Sequence, residues 1–272
     1  MVGAVNPHRP IGMFDSGIGG LTVARSVIDL LPHEDLIYFG DTARCPYGPR
    51  SPEEIRGFAL EITDFLVSED VKMVVVACNS AESTAFYEGV GRYTIPIVTV
   101  IEPGVKAALA ATRNRRIGLI GTEATVRSQA YDRAVARTRE NVTLVSSAAP
   151  KFVEFVERGD TTSDALLAAA EDYLMPLKEA EVDTLILGCT HYPLLSGVVR
   201  YVMGDDVVLI SSADATADEV YAKLLELDLL KRSEVPGELR FIASSADGLD
   251  EVLGRRFLGP EFGRVEYRSW ND

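Results

Sequence analysis

Short runs of consecutive apolar residues alternate along this chain with longer stretches in which apolar residues recur every three or four positions. The short runs are typical of strands buried in a parallel sheet, and the longer stretches are typical of amphipathic helices that cover such a sheet. The alternation therefore indicates βα units built around parallel sheets. We predict strands over Ile11–Asp15, Leu36–Gly40, Met73–Ala77, Ile97–Val100, Ile117–Gly121, Val142–Ser146, Thr184–Gly188 and Val207–Ile210, and helices over Pro52–Val67, Ser163–Lys178 and Thr216–Leu227.

The two halves of the chain resemble each other. Residues 11–16 (IGMFDS) resemble residues 117–122 (IGLIGT), and the segments around Cys78 and Cys189 match at nearly the same spacing. Any two βα units share part of this pattern, but a cysteine at the same place in both copies strengthens it. We predict two pseudo-symmetric α/β domains with mainly parallel sheets and an active site in the cleft between them. Residues 1–99 with 208–272 form the first domain, since the tail is expected to pack back on it, and residues 100–207 form the second.

A cysteine follows a hydrophobic run in each half. Cys78 ends the sequence VVVAC and Cys189 ends LILGC, so each thiol lies just past the carboxyl end of a predicted strand. That edge of an open α/β sheet is where ligands bind. Two thiols that face one substrate suit an enzyme that removes a proton from one face of a carbon and returns one to the other. The alternative, that each cysteine is a small buried hydrophobe, is weakened by the polar residues that follow them, namely Asn79, Ser80, Thr190 and His191.

Two further side chains are candidates for tuning these thiols. His191 lies two residues beyond Cys189, and a neighbouring imidazolium lowers the pKa of a thiol. Asp15 ends the first strand and opens the sequence DSGIGG, whose glycines permit close backbone approach and whose N–H groups favour an anion. Asp15 is either a helix cap or a carboxylate near the thiol of the adjacent strand. The glycine pattern is neither a dinucleotide fingerprint nor a P-loop, which disfavours nucleotide binding.

Composition and charge exclude several classes of function. The 272 residues include 27 Lys and Arg against 41 Asp and Glu, and the resulting net charge of −14 disfavours nonspecific binding to nucleic acid. The sequence contains no apolar stretch of membrane-spanning length, and the first ten residues lack the apolar segment of a secretion signal. Three cysteines are too few for a disulfide framework, which favours a reducing cytoplasm.

Other chemistry fits the cysteines less well. The spacing of Cys45, Cys78 and Cys189 is not that of a metal site, and no pair of histidines accompanies them. A Cys–His hydrolase needs one nucleophile and leaves the second matched cysteine without a role. Nothing in the sequence suggests pyridoxal phosphate, although no motif excludes it. Cys45 has no counterpart in the other half, so we interpret it as structural.

The order of several motifs identifies the chain as resembling the glutamate racemases of the aspartate/glutamate racemase superfamily. The resemblance covers about Ile11 to Leu227 and rests on the sequences DSGIGG from Asp15, GDT from Gly40, PYG from Pro46, ACNS from Ala77, GT from Gly121 and GCTHYP from Gly188. It implies two α/β domains that close on glutamate and a reaction without a cofactor or metal. One departure is Ser80, where most of the family has threonine, and this change keeps the hydroxyl.

The resemblance also implies roles for individual residues. Cys78 and Cys189 are the two acid/base groups, Asp15 assists Cys78, and His191 and Glu157 assist Cys189, with Glu154 a close rival of Glu157 in the same helix. The residues implied to bind the substrate are Asp15, Ser16, Tyr47, Gly48, Asn79, Ser80, Thr190 and His191. Aspartate racemases of the superfamily usually have glutamate at the position of His191, so this residue favours glutamate as the substrate.

The expected function is interconversion of L- and D-glutamate in the cytoplasm, which supplies D-glutamate for peptidoglycan and thereby supports cell-wall biogenesis and cell shape. The expected partners are the small-molecule substrate and a second copy of the chain in a homodimer, without a membrane or direct nucleic-acid contact. Two alternatives remain open. One is racemisation of another acidic amino acid such as aspartate, and the other is an additional interaction of the acidic surface with DNA gyrase.

Overall fold

The computed structural model describes residues 6–84, 86–246, 249 and 251–270 of the chain. Part of the N-terminal segment considered above, residues 1–5, lies outside the described residues. The strands, β1 to β10 in chain order, are Ile11–Asp15, Leu36–Gly40, Met73–Val76, Ile97–Thr99, Arg116–Gly121, Thr143–Ala148, Thr184–Gly188, Val208–Ser211, Leu239–Ala243 and Val265–Tyr267. Each strand predicted from the sequence is present, three with the predicted ends and five with ends shifted by one or two residues.

The α-helices, α1 to α12 in chain order, are Leu21–Leu30, Pro52–Ser68, Asn79–Glu82, Tyr87–Val90, Ile101–Ala111, Glu123–Ser128, Ala130–Thr138, Lys151–Glu157, Asp164–Glu179, Ser196–Met203, Ser212–Glu226 and Glu251–Leu258. Local sequence signals determine several of their ends. The Ser51 hydroxyl accepts a hydrogen bond from the Glu54 N–H and so caps α2, and Pro52 follows at the first helical position. The Ser163 hydroxyl accepts a hydrogen bond from the Leu166 N–H at 3.1 Å and so caps α9.

The strands form two sheets in which every pair is parallel. The first sheet has the order β10-β9-β2-β1-β3-β4, and the second has the order β6-β5-β7-β8. In the first sheet Phe14 of β1 is level with Val76 of β3, and in the second sheet Gly121 of β5 is level with Gly188 of β7. This register places the residues that follow these strands at one edge of each sheet. The predicted fold class is confirmed by this architecture.

Apolar packing is continuous between the two sheets. Strand residues such as Met13 in the first sheet and Ile186 in the second belong to one buried cluster, which also contains Ala24, Val105 and Val220 from α1, α5 and α11. A second cluster lies on the other face of the first sheet and includes Phe14 beneath α2. Burial on both faces explains why the central strands are almost wholly apolar. Both sheets therefore rest on a shared core that fixes the position of their edges.

The end of the chain lies on the first sheet. Strand β9 pairs with β2 and β10 pairs with β9, although the sequence pattern did not predict either strand. The division proposed above needs one correction at its second boundary. Strand β8 (Val208–Ser211) was assigned to the first domain, but it pairs with β7 and extends the second sheet to Ser211. The rest of the division stays a prediction. A short apolar run shows that a strand exists but does not show which strand it pairs with.

Candidate active site

The carboxyl-terminal edges of the two sheets meet at a cleft. Both matched cysteines line it, and so do most of the other residues singled out from the sequence. The lining residues are Asp15, Ser16, Cys45, Pro46, Tyr47, Gly48, Cys78, Asn79, Ser80, Thr122, Val153, Cys189, Thr190 and His191. The topology therefore brings together side chains that are more than 170 positions apart in the sequence.

Asp15 is both a backbone cap and a residue of the cleft. Its Oδ2 atom accepts hydrogen bonds from the N–H groups of Gly17 at 3.0 Å and Gly20 at 3.1 Å. A side chain at position 20 would place its Cβ 2.5 Å from the Asp15 Cβ, so the turn requires glycine there. The Oδ1 atom is buried and has no hydrogen-bond partner among the described residues. The two interpretations of Asp15 are therefore compatible, because one oxygen orders the turn and the other is free to act in the cleft.

Cys78 is the matched cysteine of the first half of the site. It follows β3 in extended conformation and immediately precedes α3. Burial raises the pKa of its thiol well above the usual value, the negative charge of Asp15 raises it further, and hydrogen bonds with the Ala81 and Ser16 backbone only partly oppose this. In the absence of substrate Cys78 is therefore a neutral thiol, which is the form that donates a proton.

Cys189 has a different environment in the second half. Its sulfur lies 3.8 Å from the His191 Nδ1, and the His191 Nε2 lies 3.5 Å from the Glu157 Oε1. Burial alone would lower the pKa of His191, but its contacts with Cys189 and Glu157 and the negative charge of Asp15 outweigh burial and raise the pKa to about 10. A protonated imidazole beside the sulfur stabilises a thiolate, which is the form that accepts a proton. Within the part of the chain described, Glu157 rather than Glu154 makes this contact with His191.

The loop that carries Tyr47 and Gly48 is anchored by a buried carboxylate that the sequence analysis did not single out. The Tyr47 hydroxyl donates a hydrogen bond to Asp41 Oδ2, which also accepts one from the Arg44 Nε at 2.7 Å. The other oxygen of Asp41 accepts hydrogen bonds from the Ser244 hydroxyl at 2.8 Å and the Trp270 indole N–H at 2.9 Å. Residues near the end of the chain therefore fix one wall of the cleft.

Two hydrogen bonds join the halves inside the site. The Ser80 hydroxyl is paired with the Thr122 hydroxyl at 3.0 Å, and the Tyr131 hydroxyl donates to the Asn79 Oδ1 at 2.6 Å. Thr122 occupies the position in the second half that Ser16 occupies in the first, and it also belongs to the GT motif of the resemblance, although no role was assigned to it. Tyr131 lies in α7, far from any motif, and gave no such signal.

Cys45 also lies in the cleft, so the site contains a third thiol. Its sulfur is 3.9 Å from the Glu157 Oε1. Burial raises the pKa of this thiol, and the charge of Glu157 raises it further. Cys45 is therefore held in the neutral form beside a carboxylate that disfavours its thiolate, and it has no counterpart in the other half, so its interpretation as structural stays a prediction.

The described residues offer neither a metal site nor a membrane-spanning helix. No group of three or more His, Cys, Asp and Glu side chains in residues 6–84, 86–246, 249 and 251–270 is arranged to hold a metal ion. Within the same ranges, every helix falls short of the length and apolar character needed to cross a bilayer.

Comparison with known proteins identifies the class to which this fold and site belong. A family model described as Asp/Glu/Hydantoin racemase matches residues 20–220. The glutamate racemase of Acidothermus cellulolyticus is 51% identical over 259 residues, which cover 95% of this chain and 98% of that protein. The glutamate racemase of Mycobacterium tuberculosis is 51% identical over 262 residues, which cover 96% of each chain. The chain is an amino-acid racemase and hence an isomerase.

The solved structures agree with this assignment. The crystal structure of glutamate racemase from Francisella tularensis in complex with D-glutamate has a TM-score of 0.89 to this chain at 34% identity, over 97% of this chain and 98% of that one. This chain belongs to the glutamate racemases of the Asp/Glu/Hydantoin racemase family. The resemblance seen in the sequence motifs is thereby confirmed.

Proposed function

We propose that the protein interconverts L- and D-glutamate by proton transfer between the substrate and two thiols, Cys78 and Cys189. The observation that carries the proposal is the pair of thiols with unlike neighbours in one cleft: burial and the charge of Asp15 keep Cys78 a neutral thiol, whereas the Cys189 sulfur lies 3.8 Å from the His191 Nδ1. One thiol holds a proton to donate, and the other lies beside the histidine proposed to assist it as a base. The reaction needs both at once, on opposite faces of the α-carbon.

In the proposed direction from L-glutamate, Cys189 removes the α-proton while Cys78 donates a proton to the opposite face. His191 and Glu157 stabilise the thiolate before transfer, and Asp15 assists Cys78. From D-glutamate the two thiols exchange roles. The carbanion that develops at the α-carbon has no electron sink, so fixed hydrogen-bond donors in a cleft that excludes water must stabilise it. Asn79, Ser80, Thr190 and the loop of Tyr47 and Gly48 are the proposed substrate contacts.

The proposed mechanism needs no cofactor, because both proton-transfer groups come from the chain itself. We expect purified protein to racemise L- and D-glutamate at an unchanged rate after exhaustive treatment with EDTA and without added pyridoxal phosphate. Chiral chromatography of the product measures the rate, and parallel reactions with L- and D-aspartate test the rival substrate. Activity that disappears with EDTA and returns with a metal ion contradicts the cofactor-free mechanism, and faster turnover of aspartate contradicts the choice of glutamate.

Replacement of Ser80 tests whether its hydroxyl contacts the substrate. We expect Ser80→Ala to raise the KM for glutamate about 10- to 100-fold, because loss of a hydrogen bond to a charged group costs roughly 1.5–3 kcal/mol. Ser80→Thr keeps the hydroxyl and is the matched control, for which a KM near that of the wild type is expected. An unchanged KM for Ser80→Ala shows that the hydroxyl serves only its bond to Thr122.

The proposed cellular role is the supply of D-glutamate for peptidoglycan, within the cytoplasm. This role follows from the proposed reaction, since D-glutamate is the product that a wall-building cell consumes. The expected homodimer and the interaction with DNA gyrase stay predictions.

A further inference from the structure

Tyr131 contacts both halves of the active site from α7. Its hydroxyl donates a hydrogen bond to the Asn79 Oδ1 at 2.6 Å, directly beyond Cys78. Its ring packs against Gly188, directly before Cys189, where a Cβ would lie 3.4 Å from the Tyr131 Cε2. The side chain is completely buried. Tyr131 is therefore placed to align the two halves of the site without lining the cleft itself.

The direction of this hydrogen bond determines which end of the Asn79 amide is turned away from Tyr131. Burial raises the pKa of the Tyr131 phenol well above its usual value, and the charges of Glu82 and Cys189 raise it further, so the hydroxyl keeps its proton. It therefore donates to the amide oxygen. The amide nitrogen of Asn79 is left buried and has no hydrogen-bond partner among the described residues, while Asn79 lines the cleft.

An amide can present either of two chemically opposite ends to a ligand. With the oxygen held by Tyr131, Asn79 offers N–H donors, which bind a carboxylate. With the amide reversed, Asn79 would offer an acceptor suited to the substrate ammonium, and the Tyr131 hydroxyl would face a donor. The buried hydroxyl favours the first arrangement, because an unsatisfied buried polar group is costly.

We propose that Tyr131 is a positioning residue that fixes the Asn79 amide with its N–H₂ group toward a substrate carboxylate. The inference rests on the proposed function, since it takes an amino acid with carboxylate groups as the ligand. Because Tyr131 belongs to the second half and Asn79 to the first, this donor is oriented only where the two halves are in contact. Substrate recognition by the first half thus depends on a side chain of the second.

A double-mutant cycle tests whether Tyr131 acts through Asn79. We expect Tyr131→Phe to raise the KM for L- and D-glutamate about tenfold with a much smaller change in kcat, because a free amide no longer holds its donor toward the ligand. In the Asn79→Ala background, which has no amide to orient, the same substitution is expected to change KM less than about twofold. Equal increases of KM in both backgrounds, or no increase in either, overturn the proposal.

A matched control separates this effect from general loss of a tyrosine hydroxyl. The Tyr93 hydroxyl also donates to a side-chain oxygen at 2.6 Å, that of Asp64, but Asp64 does not line the cleft as Asn79 does. Tyr93→Phe is expected to leave KM and kcat unchanged, and a tenfold rise in its KM overturns the interpretation. Thermal unfolding of each variant shows whether it is folded under assay conditions.

A second variant tests the amide end directly and does not disturb the tyrosine. Asn79→Asp keeps an acceptor for the Tyr131 hydroxyl but puts a negative charge where the N–H₂ group was. It is expected to raise KM at least as much as Asn79→Ala, and a KM near that of the wild type overturns the proposal. The dissociation constant for glutamate, measured by calorimetry on the same variants, gives the comparison without turnover. Binding that follows this pattern without racemisation contradicts the proposed function alone.

Discussion

Cys78→Ser and Cys189→Ser are each expected to lower kcat for racemisation of glutamate by about 10²–10⁴-fold, which is the range for loss of a general acid or base. A serine hydroxyl is much harder to ionise than a thiol and is a weaker acid. In the proposed mechanism each thiol is the base for one enantiomer and the acid for the other, so each substitution is expected to affect both directions. Chiral chromatography from L- and D-glutamate measures the two rates.

Solvent isotope exchange distinguishes two thiols from one. In D₂O the product formed early by the wild type is expected to carry deuterium at the α-carbon, while the remaining substrate stays largely protiated. A single base that serves both faces would instead return label to substrate and product alike. Each serine substitution changes the side-chain volume little and lies at a strand end. We therefore expect both variants to fold, with thermal transitions close to that of the wild type.

Cys45→Ser is the matched control, because it removes the third thiol of the same cleft. We expect this variant to keep most of its racemase activity, since nothing beside Cys45 prepares it for proton transfer. Two outcomes contradict the two-thiol mechanism. One is a Cys189→Ser variant that racemises at nearly the wild-type rate, and the other is a Cys45→Ser variant as impaired as those of the matched pair.

Asp15→Asn is expected to lower kcat/KM about 10²-fold and to move the basic limb of its pH profile to lower pH. Burial contributes most to the raised pKa of Cys78 and the charge of Asp15 contributes next, so removal of that charge lowers the pKa but leaves the contribution of burial. Cys78 then loses its proton at lower pH and is lost as an acid sooner. The position of the basic limb is obtained from kcat/KM measured across the pH range with both enantiomers.

The equilibrium between the two enantiomers constrains the kcat/KM values of every variant. Enantiomers have equal free energies, so kcat/KM for L- and D-glutamate must be equal in every variant. We therefore expect the asymmetry of Asp15→Asn in the primary isotope effect on α-deuterated substrate, which should rise more from D-glutamate, where Cys78 is the base.

The matched control for this variant is Asp183→Asn. Asp183 also accepts two backbone N–H bonds, from Arg113 at 2.7 Å and Asn114 at 2.6 Å, but it precedes β7, at the opposite edge of the second sheet. Asparagine keeps an acceptor oxygen in both cases, so the loops should persist. A basic limb that does not move in Asp15→Asn, or one that moves equally in Asp183→Asn, contradicts the role of the Asp15 charge.

The central strands and the matched cysteines could be predicted from the sequence because their signals are local. A strand buried on both faces is an apolar run wherever its neighbours lie, and a polar turn directly after it marks the edge of the sheet. Cys78 and Cys189 carried both signals. Strand order could not be predicted in this way. The pairing of β8 with β7, for example, depends on contacts across the fold.

The residues that the sequence did not reveal enter the site through contacts between distant segments. In the sequence, Tyr131 does not differ from other aromatic residues in helical segments. Its role depends on the hydrogen bond from its hydroxyl to Asn79, which forms only when α7 packs near Asn79 in the fold. Asp41 resembles an ordinary loop aspartate, and its role as an anchor depends on Trp270, more than 200 positions away. Strands β9 and β10 are short and partly exposed, so their pattern is weak.

The return of the chain to the first sheet has a consequence for synthesis on the ribosome. Strand β2 pairs with β9, and Asp41 meets Ser244 and Trp270, so a nascent chain that ends before β9 has an unpaired edge on β2 and no anchor for the loop of Tyr47. Exposed strand edges invite association between chains, and contacts over such sequence distances form late. An incomplete chain is therefore without a finished substrate site and carries a surface that chaperones and proteases recognise. The segment from β9 to Trp270 both extends the sheet beyond β2 and completes the anchor of the Tyr47 loop, so we expect no racemase activity before this segment has folded.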